Sequence, residues 1–113
     1  MTNYKNYLIR KLQDYSKKDI ILTTHVKVRI IQRQISKKEV IFNLTNPKRL
    51  IYALKQKARH PKEEKFECFF GYTKNLCYKY VLVITAKLIV VTVFKINRRW
   101  QKAAEKKLKK DAH

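Results

Sequence analysis

Residues 76–97 read L-C-Y-K-Y-V-L-V-I-T-A-K-L-I-V-V-T-V-F-K-I-N, and no other stretch of the chain is as rich in β-branched and aromatic residues. Such residues suit the pleated, half-buried surface of a strand. Thr85, Ala86 and Lys87 interrupt the run, so it reads as two strands, residues 77–84 and 88–96, joined by a tight reversal. The two-residue side-chain period sets Tyr78, Tyr80, Leu82 and Ile84 on one face of the first strand and Cys77, Lys79, Val81 and Val83 on the other. Both faces are largely apolar at the distal end, which requires cover on each side and helices on at least one. Where Tyr78, Lys79 and Tyr80 break that pattern, two readings stand. Either the rings pack in the core with only their hydroxyls wet, or they form a surface that touches a ligand.

Working outward, residues 48–55 form a first strand, with a helical continuation as the alternative. Residues 55–65 make a basic connection around Pro61, carrying Lys55, Lys57, Arg59, His60 and Lys62. Phe66, Cys68 and Phe70 alternate along the next strand, and residues 71–75 turn the chain into the central pair. Further back, Tyr4, Tyr7, Leu8, Lys11, Leu12 and Tyr15 recur at helical spacing, with Thr2 or Asn3 as cap. That stripe packs on the domain or on a second copy, so a homodimer is one expectation. Residues 16–19 read as a hinge, followed by a short extended link, Ile20 to Thr23.

Thr23 or Thr24 opens a second helix to about Gln34, with Val26, Ile30 and Ile31 inward. His25, Arg29 and Arg33 stand four apart on it, in a row. Ser36 and Glu39 make a capping box for a third helix, which carries Val40, Ile41 and Leu44 and stops at Asn46-Pro47. A helix-turn-helix reading is set aside because the second of these helices is short and strands follow it. Beyond Lys95 a basic helix runs from residue 98 to about 110, with Trp100, Ala104 and Leu108 as its apolar seam. The expected fold is α+β: short N-terminal helices packed on a four-stranded antiparallel meander, with a basic C-terminal helix. One domain is expected, with residues 1–19 as an extension, 20–97 as the core and 98–113 as the terminal helix.

Among 113 residues, 28 Lys and Arg stand against 8 Asp and Glu, a formal charge of +20. Self-repulsion at that density is relieved by a polyanion, which gains affinity through counterion release, so nucleic acid is the leading partner class. One Gly and two Pro argue against disorder. The abundance of Ile, Lys and Tyr suits a heat-adapted source. Cys68 and Cys77 fall inside strands and read as small apolar fillers in a reducing compartment. No leader pattern opens the chain, and residues 76–97 are too polar in the middle for a membrane span. A cytoplasmic protein without membrane insertion is expected. The scattered acids form no carboxylate cluster, so a two-metal nuclease is not expected, and no metal or cofactor is called for.

The segment T-T-H-V-K-V-R-I-I-Q-R-Q-I-S-K-K-E-V-I-F-N-L-T-N-P, residues 23–47, and the meander ending in V-V-T-V-F carry a resemblance. They resemble the family known as domain of unknown function 4258, which in turn looks like the BrnT and RelE type toxins of bacterial and archaeal toxin-antitoxin systems. The resemblance covers about residues 20–97. The family usually has Gly before Ile-Ser where this chain has Gln34, and Gln serves there if the backbone does not need a positive φ. The resemblance implies a RelE-like domain that binds RNA, cleaves it in the better-known toxins, and is silenced by an acidic or DNA-binding antitoxin. His25 and Arg29 match its opening motif.

Metal-independent RNA cleavage needs a group to take the 2′-hydroxyl proton, one to protonate the leaving oxygen, and cations on the phosphate. His25 suits a proton role, Arg29 and Lys79 a phosphate clamp, and Tyr80 an orienting role, making these four the candidate catalytic set. Arg33, Lys57, Arg59, Tyr78, Arg98, Arg99, Lys102 and Lys106 are the candidate nucleic-acid-binding residues, with Tyr78 also offering a ring to a base. The expectation is thus an RNA-binding protein with toxin-like RNA cleavage through His25. The alternative is electrostatic, weakly sequence-specific binding of DNA or RNA without chemistry.

Overall fold

The computed structural model describes residues 3–97 and, beyond them, residues 99, 102, 103, 105 and 106. In chain order the elements are α1 (Lys5–Leu12), β1 (Ile20–Leu22), α2 (Thr24–Gln32), α3 (Lys37–Thr45), β2 (Leu50–Gln56), β3 (Glu64–Gly71), β4 (Leu76–Ile84) and β5 (Leu88–Asn97). The strands lie in the order β1-β5-β4-β3-β2. From β2 to β5 they form the expected antiparallel meander, and the β4–β5 pairing closes over Thr85 to Lys87, with Ile84 opposite Leu88. Val81 faces Thr92 and Leu82 faces Val90, so Val91 is an extra residue that bulges β5.

The expectation of four antiparallel strands is corrected by a fifth. Ile20 to Leu22, read as a link, pairs parallel with Leu88 to Val90. β5 would otherwise present an unpaired outer edge, and this short apolar piece covers its first part. The architecture is therefore α+β, with short helices packed on a mixed five-stranded sheet.

Leu8 and Leu12 of α1, Val26 and Ile30 of α2, Ile35, and Val40 and Leu44 of α3 pack on one face of the sheet. There they meet Phe66, Cys68, Phe70, Tyr78, Tyr80, Leu82, Leu88 and Val93. Each fully buried aliphatic or aromatic side chain here stabilises by roughly 1.5–3 kcal/mol relative to exposure. A second, smaller cluster of Tyr52, Phe69 and Cys77 lies on the opposite face. Its Tyr52 and Phe69 rings stack at 4.4 Å. Residues 99, 102, 103, 105 and 106 have helical backbone. Burial, with the Glu67 and Glu105 carboxylates adding to it, raises the Tyr52 hydroxyl above the usual phenol range. Thr2, Trp100, Ala104 and Leu108, invoked for a cap and a seam, lie outside the described residues.

Caps fix the helix ends. Asn3 Oδ1 accepts from Lys5 N at 3.0 Å and from Ala53 N at 3.2 Å, while Tyr4 N donates to Ala53 O at 2.9 Å. The start of α1 is thereby pinned to the edge strand β2, which also blunts that edge. Thr23 Oγ1 caps α2 by accepting from Val26 N. Ser36 Oγ accepts from Glu39 N, but the Glu39 carboxylate turns to Arg49 at 3.2 Å, so only half of the expected capping box forms. A reciprocal pairing stands instead at the supposed hinge, where Asp19 Oδ2 accepts from Ser16 N and the chain makes a 3-10 turn, Lys17–Asp19.

Two sequence expectations change on α2. Ile31 points outward and is 79 % exposed. Gln34 has a φ of +53°, so the backbone does require the left-handed conformation for which the resembling family supplies Gly. Ile35 N donates to Ile30 O and Gln34 N to Ile31 O, the paired bonds of a Schellman turn, with Ile30 and Ile35 both buried beneath it. Among the described residues no helix is long and apolar enough to cross a membrane.

Candidate nucleic-acid interface

The His25-Arg29-Arg33 row runs along one flank of α2. Arg29 Nε donates to His25 Nε2 at 3.5 Å, and its Nη1 donates to Gln32 Oε1 at 3.0 Å. Arg33 reaches the outer edge of β5 past the end of β1. Its Nη1 donates to Val93 O at 2.6 Å, and its guanidinium lies 3.9 Å from the centre of the Phe94 ring. Lys79 Nζ lies 5.6 Å from that ring centre and 3.4 Å from Glu67. Phe94 thus brings two predicted cations together, Arg33 from the helix and Lys79 from the sheet. His25 lies two turns back, about 12 Å from Arg33 along the helix axis.

From Arg33 the cationic surface continues to the end of the sheet. Lys95 Nζ donates to Gln34 O at 3.2 Å and lies 5.6 Å from the centre of the Tyr72 ring. Tyr72 follows β3, is 40 % exposed, and leans on Tyr78 with ring centres 4.8 Å apart. Thr73 Oγ1 accepts from the amides of Asn75 and Leu76, fixing the turn that carries Tyr72 and Lys74. A cleft of about 560 Å³ opens beside it between Lys74, Asn75, Asn97, Arg99 and Lys102. A second hollow of about 390 Å³ shares Lys74 and includes Arg49 and Tyr72. Among the described residues no carboxylate pairs with Lys74, Lys95, Arg99 or Lys102.

The tyrosines of β4 are arranged differently from the ligand-touching expectation. Tyr78 and Tyr80 face the helices and are buried, whereas Lys79, between them, faces the other side of the sheet. Asn43 Nδ2 donates to the Tyr80 hydroxyl at 3.0 Å, and burial holds that hydroxyl far above the usual phenol range. Tyr80 therefore reaches no solvent-borne group and, contrary to expectation, does not stand beside His25 as an orienting hydroxyl. Burial, with the Glu39 carboxylate and Tyr72 nearby, likewise raises Tyr78. The packed-ring reading holds for both.

Lys57 and Arg59 sit in the β2–β3 connection, and Arg59 lines a hollow with His60, Lys65 and Ile89 at the opposite end of the sheet. They do not join the Tyr72 surface. Arg99 and Lys102 do join it, and Lys106 is exposed on the same helical segment. Arg98 lies outside the described residues.

Sequence reasoning missed Tyr72, Lys74 and Lys95. The signal was the turn G-Y-T-K-N at residues 71–75, an aromatic and a cation beside the lone glycine, where a turn presents side chains to solvent. Among the described residues no three His, Cys, Asp or Glu side chains are grouped as metal ligands. Chemically, the surface can hold phosphates on ammonium and guanidinium groups that no described carboxylate pairs, and stack a base on an exposed phenol ring. Comparison with known proteins finds no matching family model, no matching curated protein and no matching solved structure.

Proposed function

We propose that the protein binds single-stranded RNA, with backbone phosphates on Arg33, Lys95, Lys74, Arg99 and Lys102 and one base stacked on Tyr72. The observation that carries this reading is the exposed Tyr72 ring, with Lys95 5.6 Å from its centre and, on the same turn, Lys74 lining a cleft with Arg99 and Lys102 whose cations no described carboxylate pairs. Duplex bases are already stacked, so a lone exposed ring favours a strand whose bases can splay out. The formal charge of +20 supplies the sequence-independent attraction. The resemblance of residues 20–97 to RelE-like toxins supports RNA over DNA, and in that reading an acidic antitoxin-like protein is the natural silencer.

The test is RNA-oligonucleotide binding measured across a salt series. Tyr72→Ala is expected to weaken binding by about 1–3 kcal/mol with the salt slope unchanged. Lys74→Ala and Lys102→Ala are each expected to lower the slope by about 0.7. Unaltered affinity in Tyr72→Ala would overturn the stacking site, and absence of binding at low salt would overturn the reading as a whole.

A second reading, metal-independent RNA cleavage, is favoured by one contact. Arg29 Nε stands 3.5 Å from His25 Nε2, which sets an imidazole, a group suited to proton transfer, beside a guanidinium suited to phosphate. RNA incubated with the protein in EDTA should then be cut, and His25→Ala should abolish the product while binding persists. Intact RNA across a wide pH range leaves the binding reading alone.

A further inference from the structure

Arg49 differs from the other cations around Tyr72 in being held by a carboxylate. Pro47 ends α3 and the chain turns through a 3-10 segment, Pro47–Arg49, which brings Arg49 back alongside α3. There its Nη1 donates to Glu39 Oε1 at 3.2 Å. The same Glu39 carboxylate neighbours the buried Tyr78 hydroxyl, and so does Tyr72, whose ring centre lies 4.8 Å from that of Tyr78. Arg49, Glu39, Tyr78 and Tyr72 are thus one connected group, which fixes the guanidinium relative to the exposed ring. Arg49 and Tyr72 both line the hollow of about 390 Å³, together with Ile51, Gly71, Thr73 and Lys74. Among the described residues no acceptor engages Nε or Nη2 of Arg49, the two parallel donors on the edge that Glu39 leaves open.

Resting on the single-stranded RNA reading above, we infer that the base stacked on Tyr72 is a guanine, read at O6 and N7 by Arg49, with Glu39 as the positioning residue that orients the fork. Two parallel donors match two acceptors on one edge, and guanine alone among the RNA bases presents that pair. Adenine sets an amino donor beside its N7, cytosine turns an amino donor to the fork, and uracil offers a single O4. A phosphate on Arg49 would meet the like charge of the Glu39 carboxylate across the same guanidinium, whereas the guanine edge is uncharged. Lys74, on the wall of the same hollow and without a described carboxylate, suits the adjoining phosphate instead.

The probe is a set of fluorescein-labelled oligouridylates carrying one internal guanosine, adenosine, cytidine, inosine or 7-deazaguanosine, titrated with the full chain and followed by anisotropy. The guanosine strand is expected to bind about tenfold more tightly than the all-uridine, adenosine and cytidine strands. Inosine keeps O6 and N7 and lacks only the exocyclic amino group, so it should match guanosine. 7-Deazaguanosine lacks the N7 acceptor and should lose most of the preference. Arg49→Lys keeps the charge and removes the fork, so it should abolish the preference at an unchanged salt slope. Its melting temperature should stay that of the parent, because the Arg49 side chain is half exposed and its ion pair lies at the surface. Glu39→Gln should diminish the preference while steepening the salt slope, because it frees a cation for phosphate. Equal affinity for every base, with binding still weakened by Tyr72→Ala, would overturn the guanine inference and leave the RNA reading standing. A preference that survives Arg49→Lys, or that vanishes with inosine, would overturn Arg49 as its reader. Absence of binding to every strand at low salt would overturn the RNA reading and this inference with it.

Discussion

At Gln34 a side chain occupies a backbone conformation that L-residues avoid by roughly 1–2 kcal/mol, held there by the Schellman bonds and the burial of Ile30 and Ile35. Gln34→Gly is therefore expected to stabilise the protein by about 1 kcal/mol, read as a higher urea midpoint at constant slope. The bond from Lys95 survives the change because its acceptor is the backbone carbonyl. Tyr80 makes the opposite case. Tyr80→Phe leaves the buried Asn43 amide without its acceptor and should cost about 1–3 kcal/mol. RNA affinity in Tyr80→Phe should remain that of the parent, which separates a packing role from a functional one. Alternation along residues 76–84 placed Tyr78 and Tyr80 together and Lys79 opposite, as found. It could not say which face the helices would cover, because a period of two fixes alternation and leaves sidedness to the rest of the chain.

Among the elements, α1 depends on a local device with a distant target. Asn3 Oδ1 serves both the α1 amide of Lys5 and the β2 amide of Ala53, so Asn3→Ala should release the helix start by about 1 kcal/mol. Amide exchange should then accelerate over Lys5–Leu12 while the β3–β4 amides keep their protection. The helices, their caps at Thr23 and Ser36, and the meander could all be read from periodicity and turn chemistry, since those signals are local. β1 could not. Three apolar residues carry no periodic signature, and their partners Leu88 to Val90 are far along the chain. The candidate interface was partly legible for the same reason. The α2 row followed from four-residue spacing, but the meeting of Arg33 and Lys79 at Phe94 depends on where α2 lies against β5.

At the scale of the whole molecule, burial lifts the hydroxyls of Tyr52, Tyr78 and Tyr80 above the usual phenol range. Their folded pKa values exceed those of the unfolded chain. The stability they contribute is therefore complete below about pH 10 and is lost as pH rises past it. On alkaline titration, tyrosinate absorbance from these three rings should emerge together with loss of the far-ultraviolet dichroism of the sheet. The formal charge of +20 gives a companion expectation: short inorganic polyphosphate should raise the melting temperature, and added salt should diminish that rise.

The parallel seat of β1 against β5 also sets an order of events at the ribosome. Ile20 leaves the exit tunnel well before Leu88, so β1 has no hydrogen-bonding neighbour until Leu88 to Val90 have followed it out. Helices whose apolar sides await Leu88, Val90 and Val93 stay undocked until those residues emerge, and closure of the domain waits on β5. A nascent chain halted at residue 87 should thus remain sensitive to protease, and one whose residue 97 has cleared the tunnel should become resistant.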